Sequence, residues 1–368
     1  MNRFVSLLLA VLMLFAAIPI AFASDSPADP LAGYNIVRYE DMAQLDSAEH
    51  AENVLVLTEE QFLAEGTDVK DLFEDAAMLY VLTDMSISEM QRIGELPALA
   101  SSDEASSSKI ATAITEDGQG YYAFHEVSAL FQSAGTTRAL AAENALTEAQ
   151  KINDGLSAVL KTAETTIQPN QPETRMRPSG FFTSQQESTS IYDTSGNRIG
   201  SMGYTIYWYK IVKSGTQRIF DAVTVATFAP LSGYKCKKMT VYLGTSASNH
   251  SVLEATNLVT CGQNYTYSLS LSSTKGSSLT GNYTTSWSFD SNAQTVTKSF
   301  DMTTNDRKWT FEPVSPASGD AWIEEPGIRM LSTQQRCYTK VELTCPFITA
   351  LGSQFETSVL SKNWYFDY

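Results

Sequence analysis

The sequence predicts an α+β protein in two parts, a small α/β domain followed by an all-β, sandwich-like domain. Three observations predict it. Strand-like and helix-like segments alternate up to about residue 164. Helical periodicity then stops, and short runs rich in Ser, Thr and aromatics alternate apolar with polar residues to the end of the sequence. The charge divides at the same place. Ser24–Thr166 carries 26 acidic and 7 basic residues, a net −19, and Ile167–Tyr368 carries 15 and 17, a net +2. Neither part offers the basic stripe that nucleic acid requires.

The chain opens MNRFVSLLLAVLMLFAAIPIAFASDS. Arg3, an apolar run and the small-x-small Ala21-Phe22-Ala23 predict a secretory signal peptide over 1–23 and a secreted protein starting near Ser24. No later stretch has eighteen consecutive apolar residues, so no second spanning helix is expected.

The acidic domain is expected over 24–164. YNIVRY (34–39) and NVLVL (53–57) predict strands. Thr58 then caps a helix with Glu59, Glu60 and Gln61 in its first turn. Val69, Leu72, Phe73 and Ala76 recur at helical spacing, and MLYVL (78–82) returns to strand. Ser86 with Glu89 predicts a capping box opening ISEMQRIGE. SKIATAI and GQGYYAFHEV predict a hairpin around Glu116-Asp117-Gly118. From Thr137, apolar residues three or four apart predict a helical region that Gly155 could break or loosen. The segment 165–180, with three prolines, is the expected linker.

The second domain is expected over 181–368. Two extended runs near 203–212 and 217–228 flank Ser214-Gly215 as a hairpin, and Pro230 ends the second. Further strands are expected at 239–244 and at AQTVTKSFD, RKWTFEPV, AWIEE, RMLS, CYTKVELTC and SQFETSVLSKNWYFDY. Between them lies YTYSLSLSSTKGSSLTGNYTTSWSF, residues 265–289. Tyr265, Tyr267, Leu269 and Leu271 share one parity with Ser and Thr on the other, and Tyr283, Trp287 and Phe289 resume the pattern. This alternation fits a strand with one buried and one wet face, in a soluble sheet or in a membrane barrel.

Cys236, Cys261, Cys337 and Cys345 all lie in the second part, and an even number in an exported chain predicts disulfides. The nearest-neighbour pairing, Cys236–Cys261 and Cys337–Cys345, is the preferred one of three. All five Trp residues are in this part and are expected mostly in the core. As a binding platform the candidates are Trp322, Trp287 and Tyr267, with Trp322 read as a loop-edge residue between Asp320 and Glu324.

Catalytic patterns do not emerge. The front strands lack a Gly-rich phosphate cradle. His50, His125 and His250 are scattered, with no HExxH, and there is no GxSxG elbow. No cofactor and no catalytic residue is expected. Asp84 and Glu59, carboxylates at neighbouring strand ends, form a candidate cation site. The tripeptides beginning at Asn249, Asn264 and Asn282 match the N-glycosylation pattern.

The order of signal peptide, acidic α/β front and Ser/Thr-rich β back resembles uncharacterised exported proteins of Gram-positive bacteria. The segment YTYSLSLSSTKGSSLTGNYTTSWSFDSNAQTV is similar to the polar-alternating regions of β-pore-forming toxins of the leukocidin and aerolysin type. The expected function is a secreted, non-enzymatic binding or interaction protein whose partner is an extracellular protein or glycan. Two readings stand beside it: a β-pore former with 265–289 as its membrane hairpin, and a secreted hydrolase.

Overall fold

The computed structural model describes residues 31–45, 51–104, 108–117, 119–133, 136–138, 146–166, 181–193, 195–256, 265–271, 283–289, 293–301, 305–313, 322–349 and 354–368. The expected signal peptide lies outside the described residues, as does the linker apart from Thr165 and Thr166.

The front region mixes strands and helices. It runs β1 (Asn35–Arg38), β2 (Asn53–Thr58), α1 (Glu59–Glu65), β3 (Met78–Leu82), α2 (Ile87–Gly94), β4 (Ala100–Ser101), β5 (Lys109–Glu116), β6 (Tyr122–Ser133), β7 (Thr136–Arg138) and α3 (Glu148–Thr166). Thr58 caps α1 in a full capping box with Gln61, and Ser86 caps α2 by accepting the Glu89 N–H. The segment expected to be helical from Asp68 falls largely in a 3-10 helix, Gly66–Glu74, that buries Val69, Leu72 and Phe73. The expected helical start at Thr137 is corrected: Thr136–Arg138 is a strand paired with β6. Gly155 does not break α3. A Cβ there would lie 1.9 Å from the Tyr80 hydroxyl oxygen, which donates to the Lys151 carbonyl, so glycine lets the helix approach β3.

The rest is largely all-β. It comprises β8 (Phe181–Tyr192), β9 (Arg198–Ser214), β10 (Gln217–Pro230), β11 (Tyr234–Cys236), β12 (Met239–Gly244), β13 (His250–Ala255), β14 (Tyr265–Leu271), β15 (Tyr283–Phe289), β16 (Ala293–Asp301), β17 (Asp306–Pro313), β18 (Trp322–Glu324), β19 (Gly327–Ser332), β20 (Arg336–Thr349) and β21 (Gln354–Asp367). One large sheet runs β1-β2-β3-β5-β6-β8-β9-β10-β19-β13, so the front and back regions share a ladder through the parallel β6–β8 pair. A second sheet runs β16-β17-β12-β20-β21-β4. β14 and β15 form a third, separate sheet.

The main core lies between the two large sheets. Trp208, Tyr204, Phe220 and Ile206 meet Trp364, Phe366, Val341 and Leu343 within it. Burying each such side chain contributes about 1.5–3 kcal/mol. Indoles also join the sheets by hydrogen bonds. Trp208 Nε1 donates to Thr339 Oγ1 at 3.1 Å, and Trp364 Nε1 donates to the Tyr204 hydroxyl at 2.8 Å. Trp309 Nε1 donates to the Thr256 carbonyl at 3.4 Å. Each buried indole N–H thereby keeps a partner.

The preferred disulfide pairing is corrected. Cys236 bonds Cys345, with Cα atoms 6.7 Å apart. Cys337 and Cys345 sit on the single extended strand β20 and are both buried. Eight residues of strand separate their Cα atoms by roughly 26 Å, beyond any disulfide's reach. β11 pairs with the far end of β20, Cys236 opposite Phe347, which brings Cys236 to Cys345. Cys337 is a free, buried thiol that burial pushes up to about 12, and Cys261 lies outside the described residues. The bridge closes a separation of 109 residues. Replacing Cys236 and Cys345 by serine should lower the unfolding free energy by about 2–4 kcal/mol, measured by urea unfolding. An unchanged midpoint would mean that the bond does not form.

Candidate functional site

The alternation of 265–289 produces an antiparallel ladder. Tyr265 pairs Phe289, Tyr267 pairs Trp287, Leu269 pairs Thr285 and Leu271 pairs Tyr283. Same-parity positions therefore stand opposite one another along both arms. Side-chain placement in this hairpin, including that of Tyr267 and Trp287, lies outside the described residues.

The connections give this ladder its setting. β13, the strand before it, is the terminal strand of the large sheet. β16, the strand after it, is the terminal strand of the second sheet. Among the described residues, the hairpin thus follows the terminal strand of one sheet, precedes the terminal strand of the other and forms no ladder with either. A strand at a sheet edge has one unpaired side, so an element hung there can leave without breaking internal ladders.

The incoming attachment is well held. The Thr256 N–H donates to the Gly327 carbonyl at 2.9 Å, and its Oγ1 accepts the Gly327 N–H at 3.2 Å. The His250 carbonyl accepts from Asn305 Nδ2 at 3.2 Å, tying the start of β13 to the turn before β17. His250 Nε2 accepts the Tyr338 N–H at 3.1 Å. Burial pushes this imidazole down to about 4, so the neutral ring is the acceptor at neutral pH. β13 itself shifts register between Val252 and Glu254, an irregularity at the sheet edge.

The other sequence candidates are dispersed. Trp322 is not a loop-edge residue. It is 1% exposed in β18, pairs with Phe228 of β10, and donates its indole N–H to Glu324 Oε1 at 2.9 Å. Asp84 is exposed after β3, and Glu59 accepts from Thr83 Oγ1 at 2.6 Å. No group of three metal-ligating side chains occurs among the described residues. His125 is buried against Ser188 Oγ at 2.8 Å, and burial pushes it down to about 4. His50 lies outside the described residues, with Asn264 and Asn282, whereas Asn249 is exposed.

Sequence reading missed a buried charge cluster where the front region meets β21. Glu126 of β6 pairs Lys109 Nζ of β5 at 2.9 Å and Lys362 Nζ of β21 at 2.6 Å. All three side chains are at most 2% exposed. Burial pushes the Glu126 carboxyl up, but the two ammonium groups outweigh it and hold it below its ordinary value. Nearby, Glu187 accepts from the Tyr204 hydroxyl at 3.1 Å, and burial pushes it up to about 8. A second buried pair, Asp221 and Arg329, is bidentate at 2.6 and 2.7 Å. No described helix is long and apolar enough to cross a membrane.

No protein-family model and no curated relative matches the sequence. Among solved structures there is weak likeness to pore-forming toxins and to adhesins. A structure titled pore forming protein matches with a TM-score of 0.29 and 6% identity over 49% of this chain and 88% of that one. Clostridium perfringens delta-toxin matches at 0.28 and 8%, over 50% of this chain and 89% of the toxin. The collagen-binding domain of a Staphylococcus aureus adhesin matches at 0.22 and 9%, over 43% of this chain and 95% of that domain. The chain is thus distantly similar in structure to bacterial toxins and adhesins of these kinds.

Proposed function

We propose that the chain is an exported β-pore-forming protein in which the 265–289 hairpin crosses the membrane. The observation that carries this reading is the hairpin's position as a separate ladder between the edge strands of two sheets. Its release leaves both large ladders intact, so the body can stay folded while the hairpin moves. Alternating apolar and polar residues suit a lipid face and a wet lumen. Each seven-residue arm spans roughly 24 Å when extended, short of the 9–11 residues a tilted spanning strand needs. The connecting residues 272–282 would supply the difference. Several hairpins side by side would pair every backbone group, which lipid demands.

The test uses the protein beginning at Ser24, with Cys261 and Cys337 replaced by serine, and single cysteines placed at successive positions 265–271. Each carries an environment-sensitive dye and meets vesicles of phosphatidylcholine and cholesterol. Leakage should occur, with dye emission shifting to the blue at alternate positions. No leakage, or shifts without a period of two, would refute the reading.

A non-enzymatic surface-binding protein is the second reading, favoured by a surface groove of about 280 Å³ lined by Tyr338, Tyr365, Asp103 and Asn363.

A further inference from the structure

We infer that a groove on the outer face of β20 and β21 is a carbohydrate site that takes one pyranose ring. The alternation of these strands places Tyr338 opposite Tyr365 and Lys340 opposite Asn363, all half-buried, while Cys337, Thr339, Trp364 and Phe366 are buried on the other parity. The segment after β4 adds Asp103 and Glu104, and the turn 245–247 closes one side. The resulting cavity measures about 280 Å³, near the lower end of small-ligand sites.

Its chemistry suits a sugar. The Tyr338 and Tyr365 rings, 5.9 Å apart and inclined by 51°, form an aromatic wall for the C–H face of a pyranose. The polar groups are held in place. Asp103 Oδ1 accepts from Ser88 Oγ at 2.6 Å and from the Tyr365 hydroxyl at 3.1 Å. Glu104 accepts the Asn363 main-chain N–H at 3.1 Å and also its side-chain amide. Asp103 and Asn363 each carry a second side-chain oxygen, a carboxylate and an amide carbonyl, that can accept from a sugar hydroxyl. Lys340 Nζ, 3.1 Å from Glu342 Oε2, adds a donor. Asp103 and Glu104 would repel a phosphate, and Lys340 would repel an ammonium group. A neutral, hydroxyl-rimmed ligand meets neither penalty. The site does not depend on the hairpin, so it stands or falls separately from the pore reading.

Saturation-transfer NMR tests it on the protein beginning at Ser24, with the methyl glycosides of galactose, mannose, N-acetylglucosamine and N-acetylgalactosamine as probes. Ring protons of at least one glycoside should receive saturation. Asp103→Ala, at an exposed position, should weaken that binding at least about tenfold, as expected for a lost charge-assisted hydrogen bond, with an unchanged urea midpoint showing that the fold is kept. Tyr338→Ala should do the same. No transfer to any of the four glycosides, or binding unchanged in Asp103→Ala, would overturn the inference.

Discussion

Glu126→Ala should lower the unfolding free energy by about 3–5 kcal/mol, a large part of what a domain of this kind has. The variant leaves Lys109 and Lys362 inside the protein without their shared counter-charge. Each has one remaining carbonyl acceptor: Met85 for Lys109, and Glu104 at 2.6 Å for Lys362. A carbonyl dipole does not replace a carboxylate in a dry environment. Lys362 shows the dependence directly. Burial pushes its ammonium down, yet the Glu126 and Glu187 carboxyls raise it above its ordinary value. Urea unfolding followed by tryptophan fluorescence reads the effect, because Trp364 lies two residues from Lys362 on the same strand face. The triple replacement of Lys109, Glu126 and Lys362 by methionine should recover most of the loss, since it removes all the buried charges together. A single-variant loss below about 1 kcal/mol would mean that water reaches the cluster. The cluster matters for the proposed activity because it fastens β21 to β5 and β6. A hairpin that leaves the body needs a body that does not open with it.

Local patterns made parts of this architecture legible. The arms of the 265–289 hairpin, the caps at Thr58 and Ser86, and the Lys109–Glu116 and Tyr122–Ser133 hairpin follow from side-chain period and turn chemistry within a few residues. Trp322 was misread because its neighbours Asp320, Glu324 and Pro326-Gly327 carry surface signals. What buries it is β10, nearly a hundred residues earlier, and Glu324 turns inward to take its indole N–H. The disulfide was misread because pairing depends on strand direction, and only an unbroken β20 separates Cys337 from Cys345. The charge cluster did have a signal. Lys362 shares parity with Leu360, Trp364 and Phe366, all buried, so alternation alone places its ammonium inside. Its partners on β5 and β6 come from the sheet order, which no local pattern encodes.

Glu187→Gln should flatten the pH dependence of stability between neutral and mildly alkaline conditions. Burial outweighs the nearby Lys362 and holds the native carboxyl at about 8, against an ordinary value of 4.5. Below pH 4.5 the group is protonated in both states and contributes no slope. Between 4.5 and 8 the unfolded chain releases the proton and the native protein keeps it, so stability falls as pH rises, by about 1.4 kcal/mol per unit. Above 8 both states are ionised and the loss, roughly 5 kcal/mol over the whole interval, is complete. His125 and His250 act in the opposite sense. Burial holds both near 4 against 6.5, so they cost stability as pH falls from 6.5 toward 4. The interval from 6.5 to 8 therefore isolates Glu187 from the histidines. Glutamine keeps a carbonyl to accept from the Tyr204 hydroxyl, 3.1 Å away in the native protein, and it has no proton to lose. Urea unfolding at pH 6.5 and pH 8 should show the variant gaining about 2 kcal/mol relative to the parent across that step. Parallel behaviour of the two proteins would mean that Lys362 and Lys109 keep Glu187 ionised throughout, making the cluster a balanced set of two carboxylates and two ammonium groups.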